Sequence, residues 1–228
     1  MKRSHALLLV NFKTYLEATG KRAVDLAKKI ESVGENSGVR VGVAPQFCDL
    51  AQVAASVDIP VFAQHIDPIT AGANTGHIFA ESVKAAGADG TLLNHSERPL
   101  KLADIDKAVE LAKQAGLISV VCAGTARIAA AVSLSEPDMV AIEPPELIGT
   151  GRAVSKENPE IVIDSVKKIR RVNESVAILC GAGISTGEDV YAALKLGTTG
   201  ILVASGVVKA PKPEEIMADF CEAASKAQ

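Results

Sequence analysis

Met139-Val140-Ala141-Ile142-Glu143-Pro144-Pro145-Glu146-Leu147-Ile148-Gly149-Thr150-Gly151, MVAIEPPELIGTG, opens as an unbroken apolar run and ends as a glycine-studded loop, with one carboxylate at the seam. An apolar run without alternation fits a strand covered on both faces, which is the habit of parallel sheets. Pro144 and Pro145 fix φ and stiffen the start of the loop, whereas Gly149 and Gly151 restore backbone freedom nearer its tip. Apolar runs of the same kind recur at residues 7–10, 39–43, 61–63, 92–93, 118–121, 176–179 and 201–203.

Amphipathic segments separate these runs. Ala23, Leu26, Ala27, Ile30 and Val33 mark one helical stripe; Leu102, Ile105, Val109 and Ala112 mark another, with Asp104 and Asp106 early and Gly116 just past its end. Thr186 followed by Asp189 reads as a capped helix start, and Pro159 and Pro213 sit where proline suits a first helical turn. Strands alternating with helices imply βαβ units with right-handed crossovers. Such units close either as an open doubly wound sheet or as a barrel. Eight of them in 228 residues, with no GxGxxG after the first strand, select a parallel eight-stranded (β/α)8 barrel with outer helices, a single domain over 1–228.

Composition narrows the partners. A net charge of −3, no tryptophan and few aromatics argue against nucleic acid, which calls for a basic face and stacking platforms. The four cysteines, Cys48, Cys122, Cys180 and Cys221, lie far apart without CxxC spacing, so they read as reduced thiols, with neither a zinc site nor a disulfide framework. The apolar run behind Met1-Lys2-Arg3 is too short for a signal-peptide core, and no window approaches a membrane span, so a soluble, cytoplasmic protein is expected.

In a barrel of this kind chemistry sits where strands end and βα loops begin. The residues at those ends are Asn11-Phe12-Lys13, Asn94-His95-Ser96-Glu97, Glu143, Gly181-Ala182-Gly183 and Ala204-Ser205-Gly206. A lysine, a histidine and a glutamate facing glycine-rich turns suit a small anionic substrate and proton transfer. Taken singly, each has an ordinary alternative: a solvated lysine, a structural imidazole, a satisfied strand-end acid. Together they read as a site. Glu143 adjoins a stiff-hinged lid that excludes water on closing. Lys13 attracts phosphate and developing negative oxygen. Residues 96–99 read as a first helical turn whose N-terminal end keeps the His95 ring unprotonated and able to donate to a carbonyl oxygen. Glycine after the seventh strand, ahead of the helix start at Thr186, makes an anion nest. His5, His65 and His77 carry no assigned role.

On these residues the sequence resembles the triosephosphate isomerase family along essentially its whole length. The motifs are NFK at 11–13, TGHI at 75–78, NHSE at 94–97, EPPELIGTG at 143–151, GAGI at 181–184 and LVAS at 202–205. The resemblance implies interconversion of dihydroxyacetone phosphate and glyceraldehyde 3-phosphate, in glycolysis and gluconeogenesis, without metal or organic cofactor. It implies Glu143 as the base and His95 as the group that polarises the carbonyl and moves a proton between oxygens, the family's known division of labour. Lys13, with Asn11, would stabilise substrate charge, and Glu97 would hold Lys13. Gly149, Gly183, Ala204 and Ser205 would offer amides to the phosphate, with Ile148 closing above and Thr75 reaching into a neighbouring subunit's site.

The sequence departs from the common pattern in places. Pro-Pro-Glu replaces Pro-Val-Trp at the lid's start, Arg98-Pro99 follows HSE, Ala204-Ser205 stands where others show Gly-Gly, and the chain is shorter. These traits resemble archaeal members and imply a homotetramer, with a dimer as the alternative. Two other readings compete: another phosphate-binding barrel isomerase or epimerase, and a non-catalytic barrel that binds sugar phosphate. An epimerase needs metal-ligand histidines at strand ends, where only His65 and His95 stand. A scaffold has no need of Glu143, His95 and Lys13 together.

Overall fold

The computed structural model describes residues 4–148 and 153–227. Each apolar run is a strand: β1 (Ser4–Asn11), β2 (Val39–Ala44), β3 (Phe62–Ala63), β4 (Gly90–Leu93), β5 (Ile118–Ala123), β6 (Met139–Ile142), β7 (Ala177–Cys180) and β8 (Gly200–Val203). All the paired strands run parallel, in the order β2-β1-β8-β7-β6-β5-β4-β3. The Val43–Val61 bridge, with Val43 N–H donating to the Pro60 carbonyl at 3.0 Å, joins β2 to the start of β3 and closes the barrel.

Helices α1 (Lys21–Ser37), α2 (Phe47–Ala54), α3 (Ala80–Ala85), α4 (Leu102–Gln114), α5 (Ala126–Val132), α6 (Val154–Glu157), α7 (Pro159–Val172), α8 (Gly187–Lys195), α9 (Ser205–Val208) and α10 (Pro213–Lys226) fill the connections. Thr186 caps α8 with the reciprocal Asp189 contact that its spacing predicts, and Pro159 and Pro213 occupy first turns. One stripe is corrected. Leu102 is 57% exposed, and α4 buries Ile105, Ala108, Val109, Leu111 and Ala112 instead. Leu102 is the first residue of its helix, and a helical Cβ leans toward the N-terminus, so its side chain overhangs the end of the packed face.

Side chains alternate along the strands with period two and divide the core. Leu7, Leu9, Ala44, Phe62, Leu92, Val120, Cys122, Ala141, Leu179 and Leu202 pack together inside the barrel. Their neighbours Leu8, Val10, Leu93, Val121, Val140, Ile142, Ile178, Ile201 and Val203 join the layer under the helices. Inward positions held by glycine make room for the large residues: a Cβ on Gly200 would overlap the Leu7 carbonyl and sit 2.9 Å from Leu179 Cδ2.

Beyond β3, the buried His65 ring lies 3.0 Å from Asp67, whose carboxylate also meets Arg98 at 3.2 Å and the Ile78 N–H at 2.6 Å. Burial pushes the His65 pKa below its ordinary value, only partly opposed by Asp67. Burial raises Asp67, but the bonds from Ile78 and His65 together with Arg98 outweigh it, and the carboxyl lies below its ordinary value. Asp189 behaves alike: burial is overcome by Lys156 and the Ser185 and Thr186 donors.

Two outcomes are expected. Gly200→Ala should lower stability by roughly 1–3 kcal/mol, the usual range for overpacking, as read by the urea midpoint at constant slope. Stability should also fall in two stages with acid. The unfolded chain takes up the His65 proton first, so the loss begins below about pH 6.5; the carboxylate contribution of Asp67 and Asp189 drains as pH falls through their lowered values, below about pH 3.9. Urea titrations of the parent and of His65→Asn at several pH values check this, since only the parent should show the first stage in full.

Candidate active site

Strand alternation aims particular residues at the axis of the C-terminal rim. Leu7 and Leu9 point inward, so Asn11 at the end of β1 does too, and it is buried. Its Oδ1 accepts the Lys13 N–H at 2.9 Å, which leaves the amide NH2 group for a ligand. Lys13 adopts φ 47°, a left-handed conformation costly for a side-chain-bearing residue. Its ammonium meets Glu97 Oε1 at 2.7 Å.

His95 follows β4. No helix starts here: residues 95–98 form a tight turn in which Arg98 N–H donates to the His95 carbonyl at 2.8 Å. Pro99 contributes no N–H of its own and disfavours helical geometry at the residue before it, which ends the turn. The ring state is set locally instead. Glu97 N–H donates to His95 Nδ1 at 3.2 Å, so Nδ1 is the acceptor and Nε2 carries the hydrogen. Asn94, at φ 56°, holds the turn from below, donating to the Cys122 carbonyl and accepting the Leu100 N–H, each at 2.9 Å.

Glu143 follows the outward Ile142 and therefore faces inward. Its side chain is 7% exposed. Oε2 is buried without a hydrogen-bond partner among the described residues, and lies 3.7 Å from His95 Nε2, too far for a mutual hydrogen bond. An unpaired buried carboxylate oxygen costs on the order of 1–3 kcal/mol, so it marks a site that awaits a partner. Gly181 makes the carboxylate's seat: a Cβ there would fall 2.8 Å from Oε1 and 2.9 Å from Cδ. Two thiols stand close by. Burial, then the Glu143 charge and hydrogen bond, hold Cys122 well above the usual thiol range, and burial with Glu143 and Asp189 pushes Cys180 up to about 12. Both remain neutral and unreactive.

The opposite wall is backbone. Ala182 at φ 71° and Gly183 at φ 75° turn the chain after β7, and Ala204 leads into α9 after β8. Among the described residues, the N–H groups of Gly183, Ala204 and Ser205 donate to no main-chain acceptor. One pocket gathers Asn11, Lys13, His95, Glu143, Ile148, Gly183, Ala204 and Ser205, with Ala182, Val203, Gly206, Ile184, Ser185 and Leu202 completing the lining. Ser185 lies outside every motif read from the sequence, whereas Ile184 and Leu202 stand inside GAGI and LVAS without an assigned role, and Leu202 follows from the same alternation that aims Ala204 inward.

Two expected residues stand apart. Gly149 lies outside the described residues. Thr75 is exposed on the loop after β3 and does not line the pocket. Among the described residues no group of three or more His, Cys, Asp or Glu side chains is arranged to hold a metal ion, and no helix is long and apolar enough to cross a membrane.

An imidazole whose Nε2–H is free to donate, a carboxylate with one unpaired oxygen, a paired ammonium and free amides around one cavity can carry proton transfer on a small phosphorylated substrate. Comparison with known proteins points the same way. The family model described as triosephosphate isomerase matches residues 6–224. The triosephosphate isomerase of Methanocaldococcus jannaschii is 51% identical over 94% of this chain and 98% of its own length. That of Methanosarcina mazei is 51% identical over 93% and 96%, and that of Methanobrevibacter smithii 47% identical over 94% and 96%. With the model spanning nearly all of the chain and relatives this close, the chain belongs to the triosephosphate isomerase family.

Proposed function

We propose that the protein interconverts dihydroxyacetone phosphate and glyceraldehyde 3-phosphate, with Glu143 as the base. The observation that carries this reading is the buried Glu143 Oε2, left unpaired 3.7 Å from the Nε2 of a histidine whose Nδ1 is already taken. The carboxylate removes a proton from the carbon beside the carbonyl, and the electron pair moves onto the carbonyl oxygen to give an enediolate. His95 Nε2–H donates to the two oxygens and moves a proton between them. Glu143 then returns its proton to the neighbouring carbon, which completes the isomerisation.

The remaining groups supply charge and exclusion of water. Lys13 and Asn11 stabilise negative oxygen, with Glu97 holding the ammonium in place. The amides of Gly183, Ala204 and Ser205, and of Gly149 on the lid, take the phosphate. Ile148, partly buried against the core, forms the apolar underside of the lid. Each step uses groups of the chain itself, and no cofactor is invoked. The whole chain acts as one domain, working in the cytoplasm in glycolysis and gluconeogenesis.

The assembly we propose is a homotetramer. Leu102 and Ile128, 57% and 44% exposed, face an apolar groove between α4 and α5 that subunit contact would cover. The loop carrying Thr75 is built to project: Asp67 N–H donates to the Ile78 carbonyl at 2.9 Å while Asp67 accepts the Ile78 N–H, closing residues 68–77 at their base. Thr75 at its tip would reach the site of an adjoining subunit.

Two measurements test this function. In a coupled assay on glyceraldehyde 3-phosphate, Glu143→Asp should slow kcat about 10²- to 10⁴-fold with KM roughly unchanged, because the base is withdrawn while the phosphate amides stay. Full activity in that variant would remove the base assignment. Sedimentation velocity should give a particle of four times the 23.6 kDa chain mass; a particle of twice that mass would replace the tetramer with a dimer.

A further inference from the structure

The barrel seam between β2 and β3 is its thinnest: β3 has two residues, and a single bridge links the pair. Lys13, in its left-handed conformation, stands beside that seam. Gln64, immediately after β3 and half-buried, spans it. Its Nε2 donates to the Lys13 carbonyl at 2.9 Å and to the Ala44 carbonyl, at the end of β2, at 3.0 Å. Both partners are carbonyl oxygens, which only accept, so the amide can present only its NH2 group here and both hydrogens are spent. The same Ala44 oxygen accepts the Phe12 N–H at 3.0 Å, so one carbonyl ties the ends of β1, β2 and β3 together.

We propose that Gln64 is a positioning residue for Lys13, a role that rests on Lys13 stabilising substrate charge. Three bonds define the lysine's place, and each comes from a different strand end. Asn11 Oδ1 takes its N–H, Gln64 takes its carbonyl, and Glu97 takes its ammonium. Asn11 and Glu97 act on one end of the residue each. Gln64 is the group that fixes the orientation of the 13–14 peptide, and a non-glycine residue at positive φ persists only where its surroundings over-determine it. Without the Gln64 amide the turn relaxes toward ordinary φ, and the ammonium swings off the axis on which substrate oxygen sits.

A merely structural latch would lower stability and activity whatever residue stands at 13, so the test is a double-mutant cycle. Gln64→Met keeps length and bulk but has no donor. It is measured in the parent and in Lys13→Ala, with kcat/KM and Tm recorded for all four proteins. The expected result is a loss of kcat/KM of about tenfold in the parent but under about twofold in Lys13→Ala, with equal falls in Tm in both backgrounds. Equal fold-losses of activity in the two backgrounds, or no loss in the parent, would overturn the positioning role while leaving the Lys13 assignment intact. Full activity in Lys13→Ala would instead overturn the reading of Lys13, and this inference with it. If Gln64→Met does not fold, Gln64→Glu enters the same cycle. Its carboxylate repels the two carbonyls at neutral pH and regains one donor when protonated, so relative activity should recover toward about pH 5 only where Lys13 is present.

Discussion

Parallel strands that close on themselves all end at one rim, and the pleat aims every second residue at the axis there. Everything that gathers in the pocket depends on that constraint. Leu7 and Leu9 commit Asn11 to the interior; Ala141 commits Glu143; Leu179 commits Gly181; Leu202 commits Ala204. A one-residue slip in any of these strands would turn its rim residue toward the helices. The ladder therefore does more than hold the fold together. It decides which side chains can meet a ligand at all.

The rim is also where the molecule departs from its own bonding rules. Away from the rim, Ser165 Oγ on α7 is the one buried side-chain polar atom without a partner among the described residues; at the rim a carboxylate oxygen has none and three amides have no main-chain acceptor. Lys13, Asn94 and Ala182, three of the four non-glycine residues at positive φ among those described, stand there as well. Each departure costs free energy that the packed barrel beneath must offset. Bonds from neighbouring strand ends, loops and a helix start hold the strained residues: Gln64 and Asn11 for Lys13, the Cys122 carbonyl and Leu100 N–H for Asn94, and the Val154 N–H, at 3.3 Å, on the Ala182 carbonyl. Groups held this firmly but left unsatisfied are suited to stabilising charge that develops only during reaction.

The hydrogen-bond arrangement of the His95 ring has a local origin. The sequence suggested a helix end beside the ring; the structure has a tight turn ended by Pro99, and the Glu97 N–H occupies Nδ1 directly. A hydrogen bond to the unprotonated nitrogen selects the same ring state more specifically than a dipole would, because it also settles which nitrogen keeps its hydrogen.

The sequence alone determined the strand and helix order, the barrel, and most of the rim residues. Unbroken apolar runs have one common use, and residues just past them fall at strand ends whatever the packing. Thr186, Pro159 and Pro213 were legible because caps and first turns are local. Tertiary structure alone decided what needed distances between remote segments. It showed that Glu143 Oε2 is unpaired, that a Gly181 side chain would strike that carboxylate, and that Gln64 reaches both Lys13 and Ala44. Leu102 failed as a stripe residue for the same reason: periodicity gives the face of a helix, but only the neighbouring elements decide where along its length that face is covered.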